Sequence, residues 1–303
     1  MNDLVVCCTD GSDVSAQAIR AGLALLDRER WRVVLAITVQ EVTYDIGGGI
    51  LGGTGAGIPS VAVGMTARDA VQEQNQLIDE GLDQARRVAD QVGLDKSSIE
   101  VLIGEPGPTL VDYLKEQEAD LAVLGTRGLG GAARLFLGSV SNHLLRHSPC
   151  PVLVGGDELP AEPKGPVVVC IDGSERSVEA GKVALGMIAL DLPITVTMVR
   201  RTTDVDLGPG VIAEDQAQAW AAEAERAVSD AAAEMGVPDA EQVVLEGPNP
   251  AQTLADYTKM HPVRCFVVGT HGRGWLGRAV LGSVAERLVK LSPQLVFVVP
   301  QRT

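Results

Sequence analysis

The side chains and spacings best suited to chemistry occur twice. A G-x2-G-x9-G-[ST] pattern runs through Gly125, Gly128, Gly138 and Ser139, and again through Gly269, Gly272, Gly282 and Ser283. Glycines that follow a strand let backbone N–H groups approach a polyphosphate with no Cβ in the way, forming an anion-binding nest. Ser139 and Ser283 read as N-caps, and Ser283-Val284-Ala285-Glu286 has capping-box spacing, so a helix begins at each Gly-Ser pair and directs its free amides and positive dipole end towards phosphate. Thr126 and Arg127 lie inside one copy, Thr270 and His271 inside the other, and Arg127, His271 and Arg273 stand as charge partners for phosphate. Asp10 and Asp172 end earlier apolar runs. There a carboxylate could accept hydrogen bonds from a ribose or an adenine amino group, or help to order a metal ion. Taken alone, each Asp-Gly-Ser reads more simply as a turn and helix cap.

The elements that must position these residues come from one unit used twice. Leu4-Val5-Val6-Cys7-Cys8-Thr9-Asp10-Gly11-Ser12 returns as Val167-Val168-Val169-Cys170-Ile171-Asp172-Gly173-Ser174. Further on, Val123 to Gly128 returns as Val267 to Gly272, and Leu137 to Val140 as Leu281 to Val284, in the same order. The offset is 162 residues at the aspartates and 144 at the strand-end glycines, so the first half carries 18 extra residues. They are Gly47 to Gly64, with eight glycines, against a short polar counterpart near Thr202 to Gly210. The polar Pro/Gly segment 156–165 separates a first domain, 1–155, from a second, 166–303.

Within each half, short Val/Leu/Ile runs alternate with Ala-rich segments of helical period, the signature of repeated βα units around a parallel sheet. The runs predict strands near 4–9, 32–39, 99–103, 120–125 and 151–154, with helices near 13–27, 66–92, 107–118 and 139–147. In the second half, strands fall near 167–171, 194–199, 241–245, 264–268 and 295–299. The expected fold is α/β: two tandem doubly wound domains, each a five-stranded parallel sheet of order 3-2-1-4-5 with helices on both faces. That order puts the ends of strands 1 and 4 side by side at a switch point, where ligands bind. Strand 5 of each half is an apolar run at a sheet edge, and such an edge invites pairing. The two fifth strands are therefore expected to meet about a pseudo-two-fold axis.

Composition narrows the function. A net charge of −15 opposes binding to a phosphate backbone, and nine aromatic residues leave few platforms for stacking bases, so no nucleic-acid partner is expected. No apolar run is long enough to span a membrane and no signal segment precedes the first strand, which predicts a cytoplasmic protein without membrane contact. The five cysteines, mostly within apolar runs, fit reduced thiols packed in cores. His143, His147 and Cys150 have metal-ligand spacing, but the second half has Arg287, Leu291 and Gln294 there, and His147 suits the negative end of its helix. No G-x4-G-K-[ST] occurs, and Gly272-Arg273-Gly274-Trp275-Leu276-Gly277 lacks the βαβαβ context of a dinucleotide fold.

The aspartate after strand 1, the doubled glycine signature and the Ser-Pro-Cys-Pro-Val-Leu-Val run at 148–154 together resemble the universal stress protein family, as a tandem two-domain member of its ATP-binding branch. The resemblance covers nearly the whole chain. It implies ATP with magnesium as the cofactor, held in the first half by Asp10, Val39 at the end of strand 2, Gly125, Thr126, Arg127, Gly128, Gly138, Ser139 and Val140. The implied counterparts are Asp172, Val199, Gly269, Thr270, His271, Gly272, Gly282, Ser283 and Val284. It also implies a stress-response regulator whose nucleotide occupancy sets conformation or the choice of a regulatory protein partner, with a homodimer of the whole chain compatible. Slow ATP hydrolysis or phosphotransfer in the same pockets, or an interaction module with empty pockets, are the alternatives. Gly47 to Gly64 begins at the nucleotide rim. Its apolar Ile50, Leu51, Ile58, Val61 and Val63 favour a lid over a passive insertion.

Overall fold

The computed structural model describes residues 3–43, 67–126, 137–156, 158–202, 214–270 and 281–301. The first half reads β1 (Leu4–Thr9), α1 (Asp13–Leu23), β2 (Arg32–Val39), α2 (Ala67–Val92), β3 (Ile99–Ile103), α3 (Pro106–Glu116), β4 (Leu121–Gly125), α4 (Ser139–His147) and β5 (Val152–Gly155). The second repeats it: β6 (Val167–Ile171), α5 (Glu175–Leu185), β7 (Ile194–Arg201), α6 (Glu214–Glu234), β8 (Glu241–Gly247), α7 (Pro250–Tyr257), β9 (Cys265–Gly269), α8 (Ser283–Leu291) and β10 (Leu295–Val299). Strand order within each half is the expected 3-2-1-4-5, and the pairs inside each half are parallel.

The two sheets are one. β5 and β10 pair antiparallel, Val154 opposite Val296, Leu153 opposite Phe297 and Val152 opposite Val298, which gives ten strands in the order β3-β2-β1-β4-β5-β10-β9-β6-β7-β8. This is the meeting of fifth strands expected from their apolar edges, and it removes both edges from solvent. Because side chains alternate along a strand, each seam residue feeds one of two cores. Leu153 and Phe297 join the core beneath α1, α2, α5 and α6, whereas Val152, Val154, Val296 and Val298 join the one beneath α3, α4, α7 and α8.

Local departures have physical causes. The expected first helix, 13–27, stops at Leu23, since the next residues serve the seam between halves. Leu26 forms an antiparallel bridge with Ile188, and Ala189 N–H donates to Leu25 O at 2.8 Å. Tertiary pairing there overrides the helical period. The segment between the halves is also less loose than its composition suggests, because Leu159 is buried at 3% exposure and its carbonyl accepts from Gln17 Nε2.

The cysteines are free thiols, four of them buried and Cys170 half-buried. Burial raises all five thiols above their ordinary range, Cys8 to about 12 and Cys150 to about 11. Such groups stay protonated and inert. Among the described residues, no helix is long and apolar enough to cross a membrane.

Candidate nucleotide site

Each half builds the same turn at the end of its first strand. Asp10 Oδ1 accepts from Ser12 N at 3.1 Å and from Ser12 Oγ at 2.6 Å, and Asp172 Oδ1 accepts from Ser174 N and Oγ at the same distances. The intervening Gly11 and Gly173 have φ of +83° and +79°, a region in which a side chain is strained. Ser12 Oγ then caps α1 by accepting from Ser15 N, and Ser174 Oγ caps α5 by accepting from Ser177 N. The turn-and-cap geometry of Asp-Gly-Ser is therefore present in both copies, and it fixes each carboxylate at the carboxyl rim of the sheet.

Strand 4 brings the glycine signature to that carboxylate. Cys8 is level with Leu124 and Val169 with Val267, so continuing the register sets Asp10 beside Thr126 and Asp172 beside Thr270. Gly138 N–H donates to Thr126 O at 2.8 Å, and Gly282 N–H to Thr270 O at 2.6 Å, which fastens the start of α4 and of α8 against the end of β4 and β9. The first amides of those helices, at Ser139, Val140, Ser283 and Val284, belong to the electropositive helix end.

Two expectations are corrected here. Ser139 and Ser283 are the first helical residues and not the caps; Gly138 and Gly282 occupy the cap position, with no side-chain cap bond. The glycine amide tied to the threonine carbonyl sets the helix start, so the serine is carried into the first turn. The capping box is likewise absent. Glu286 instead accepts from Lys290 at 2.7 Å and pairs across the two halves with Arg146 at 3.3 Å, and those cations hold its carboxyl below the usual range.

A third correction concerns strand 2. Thr9 lies level with Ile37, but Ile171 lies level with Met198, so Asp10 has Thr38 beside it and Val39 one residue on, whereas Asp172 has Val199 beside it and Arg200 one residue on. Val199 is thus the counterpart of Thr38, and Arg200 that of Val39. The two valines face opposite sides of the sheet. Val39 meets α2, where a Cβ on Gly81 would sit 2.6 Å from Val39 Cγ1, while Val199 packs into the core beneath α7 and α8. Thr38 Oγ1, at the rim beside Asp10, is buried without a hydrogen-bond partner.

One site residue was missed. Ser141, 1% exposed, directs its Oγ at Thr126 O (2.9 Å) and Gly138 O (3.0 Å), a second fastening of the glycine turn that the second half, with Ala285 there, does without. Its signal was present as a lone serine on the apolar face of α4. S141A is expected to lower stability by about 1 kcal/mol, because Thr126 O keeps its bond from Gly138 N. Urea denaturation measures it, and a loss near 3 kcal/mol would show that the hydroxyl does more than fasten the turn.

Arg127, Gly128, His271 and Gly272, together with Gly47 to Gly64, lie outside the described residues. His143 and His147 stand with ring centroids 4.6 Å apart, and His143 covers Gly107 of α3. Among the described residues, no cluster of three or more His, Cys, Asp or Glu is placed to hold a metal ion.

The fold and this rim define a class: a tandem doubly wound α/β protein with an aspartate, a Gly-Thr strand end and a Gly-Ser helix start converging in each half. The chain belongs to the universal stress protein family, whose model matches residues 1–154 and 165–300. It is 34% identical over 221 residues to universal stress protein Rv2005c of Mycobacterium tuberculosis, covering 70% of this chain and 72% of that one. It is 32% identical over 228 residues to universal stress protein Rv2623 of the same organism, covering 73% and 74%. A crystal structure of a universal stress protein from Archaeoglobus fulgidus superposes with a TM-score of 0.61 at 17% identity, covering 98% of this chain and 96% of that one, which supports the fold.

Proposed function

We propose that this universal stress protein binds ATP and that occupancy of its site sets its conformation or its choice of regulatory partner. The observation that carries the reading is the convergence at one rim of Asp10, Gly125-Thr126 and the Gly138-Ser139 helix start, held by the Gly138 to Thr126 hydrogen bond. A carboxylate suits a ribose, and the strand-end amides together with the helix N-terminus suit phosphate. The described residues fit that ligand. Thr38 Oγ1 is a polar atom without a partner beside Asp10, and on the other face of the sheet Val39, level with Ile103, keeps the end of β2 apolar. Magnesium fits as a companion of the triphosphate, since that ion takes one or two carboxylates and otherwise phosphates and water; Asp10 is the carboxylate at the rim.

Acid release of nucleotide from the purified chain, followed by calorimetry with ATP and magnesium, tests the reading. Wild-type protein is expected to bind, and the G128V/G272V double variant to lose binding, because a β-branched side chain would stand where backbone should face phosphate. Equal binding by both proteins would remove the glycine signature from the site. Phosphate release within seconds, with enzyme in excess over ATP, would make the chain an enzyme instead.

A further inference from the structure

We infer that the two halves are unequal, and that Arg200 and Glu246 are the specificity-determining pair that keeps an adenine-type base out of the second. The inference rests on the nucleotide reading above and extends it. In the first half, the end of β2 faces the end of β3 with two apolar residues level with one another, Val39 and Ile103, and Ile103 is 46% exposed. In the second half the same two register positions hold Arg200 and Glu246. Their side chains are bound to each other, with Arg200 Nη2 at 2.6 Å and Nε at 3.0 Å from Glu246 Oε1.

The chemistry of the two rims differs accordingly. Beside Asp10 stand Thr38, with an unpartnered hydroxyl, and the apolar Val39; beside Asp172 stand Val199, turned into the core, and an arginine already committed to a carboxylate. Arg200 keeps only 22% of its side chain exposed. A base laid on the first rim covers apolar surface. On the second it would have to desolvate an ion pair or part it, and either cost falls on the ligand. β7 also pairs with β8 through Arg201 and Gly247, two positions beyond Val199, whereas β2 pairs with β3 no further than Val39. Both halves keep the aspartate, the Gly-Thr strand end and the Gly-Ser helix start, whereas Arg200 and Glu246 stand at the end of β7 and β8, so this difference acts on the base.

Equilibrium dialysis with radiolabelled ATP and magnesium counts the sites. Wild type is expected to saturate at about one nucleotide per chain, the second half binding weaker by on the order of a hundredfold. V39R/I103E, which places the second half's pair in the first, should remove the tight site. R200V/E246I should raise the count to about two, and this variant keeps the test independent of how well V39R/I103E folds. Two equal sites in wild type, or a count left at one by R200V/E246I, would overturn the inference while leaving the nucleotide reading intact. No binding at all would overturn both.

Discussion

Truncating Phe297 to alanine is expected to lower the stability of the whole chain by about 3–5 kcal/mol, the range for removing a buried aromatic side chain and leaving its cavity. Phe297 and the residue opposite it, Leu153, are both 0% exposed, at the centre of the only antiparallel pair in the ten-stranded sheet described. Around them the core is continuous, taking Leu121 and Val123 from the first half and Val267 and Leu295 from the second. The loss is therefore shared. Urea unfolding of F297A is expected to show one transition shifted as a unit, with L153A costing about 2–5 kcal/mol and the pair coupled, because the two side chains line one cavity. Two separate transitions, of which F297A moves only one, would mean that the halves fold independently and that the seam is a contact of convenience.

The seam was legible because an apolar run at a sheet edge has few ways to be satisfied. The strands were legible for a similar reason: Val/Leu/Ile runs of four to eight residues are too short for most helices, and side chains along them alternate with a two-residue period. The strand-2 correspondence was misread for want of that same period. Matching Val39 to Val199 follows residue type, whereas the alternation Val33, Leu35, Ile37 against Ile194, Val196, Met198 already sets Val39 level with Arg200. A one-residue slip moves a side chain to the other face of the sheet, and here it turns an apolar wall into an ion pair.

At the helix starts, sequence could not choose between glycine and serine, since both are good caps. The deciding contact, Gly138 N to Thr126 O, joins residues that no helical or strand period relates. Ser141 differs: its place on the apolar face of α4 was readable, but its partners, Thr126 O and Gly138 O, were not. Leu159 is one apolar residue in a polar segment, and only the packing of α1 over the end of β5 gives it a place, next to Gly155 and Ala18.

Gly165→Val is expected to destabilise the chain by about 2–5 kcal/mol, from two penalties at one residue. The first is conformational: Gly165 has φ +94°, where a β-branched residue is strained. The second is steric, because a Cβ there would run into the Pro262 carbonyl. That contact is structural and not incidental, since Arg264 Nε donates to Gly165 O at 3.2 Å and Arg264 N to Pro166 O at 3.0 Å, which seats the start of β6 beside β9. A control separates the two penalties. Gly93 has φ +70° with nothing near the place of a Cβ, so G93A should cost only the strain of the left-handed region, about 1 kcal/mol. β6 carries Asp172 at its other end and pairs with β9, which ends next to Thr270, so displacing its start should also disturb the second rim while leaving ATP binding by the first half unchanged. Urea unfolding of G165V and G93A gives the stabilities, and dialysis gives the binding. Equal losses for the two variants would refute the steric term, and a stable G165V would mean that the segment joining the halves is free to move away from Pro262.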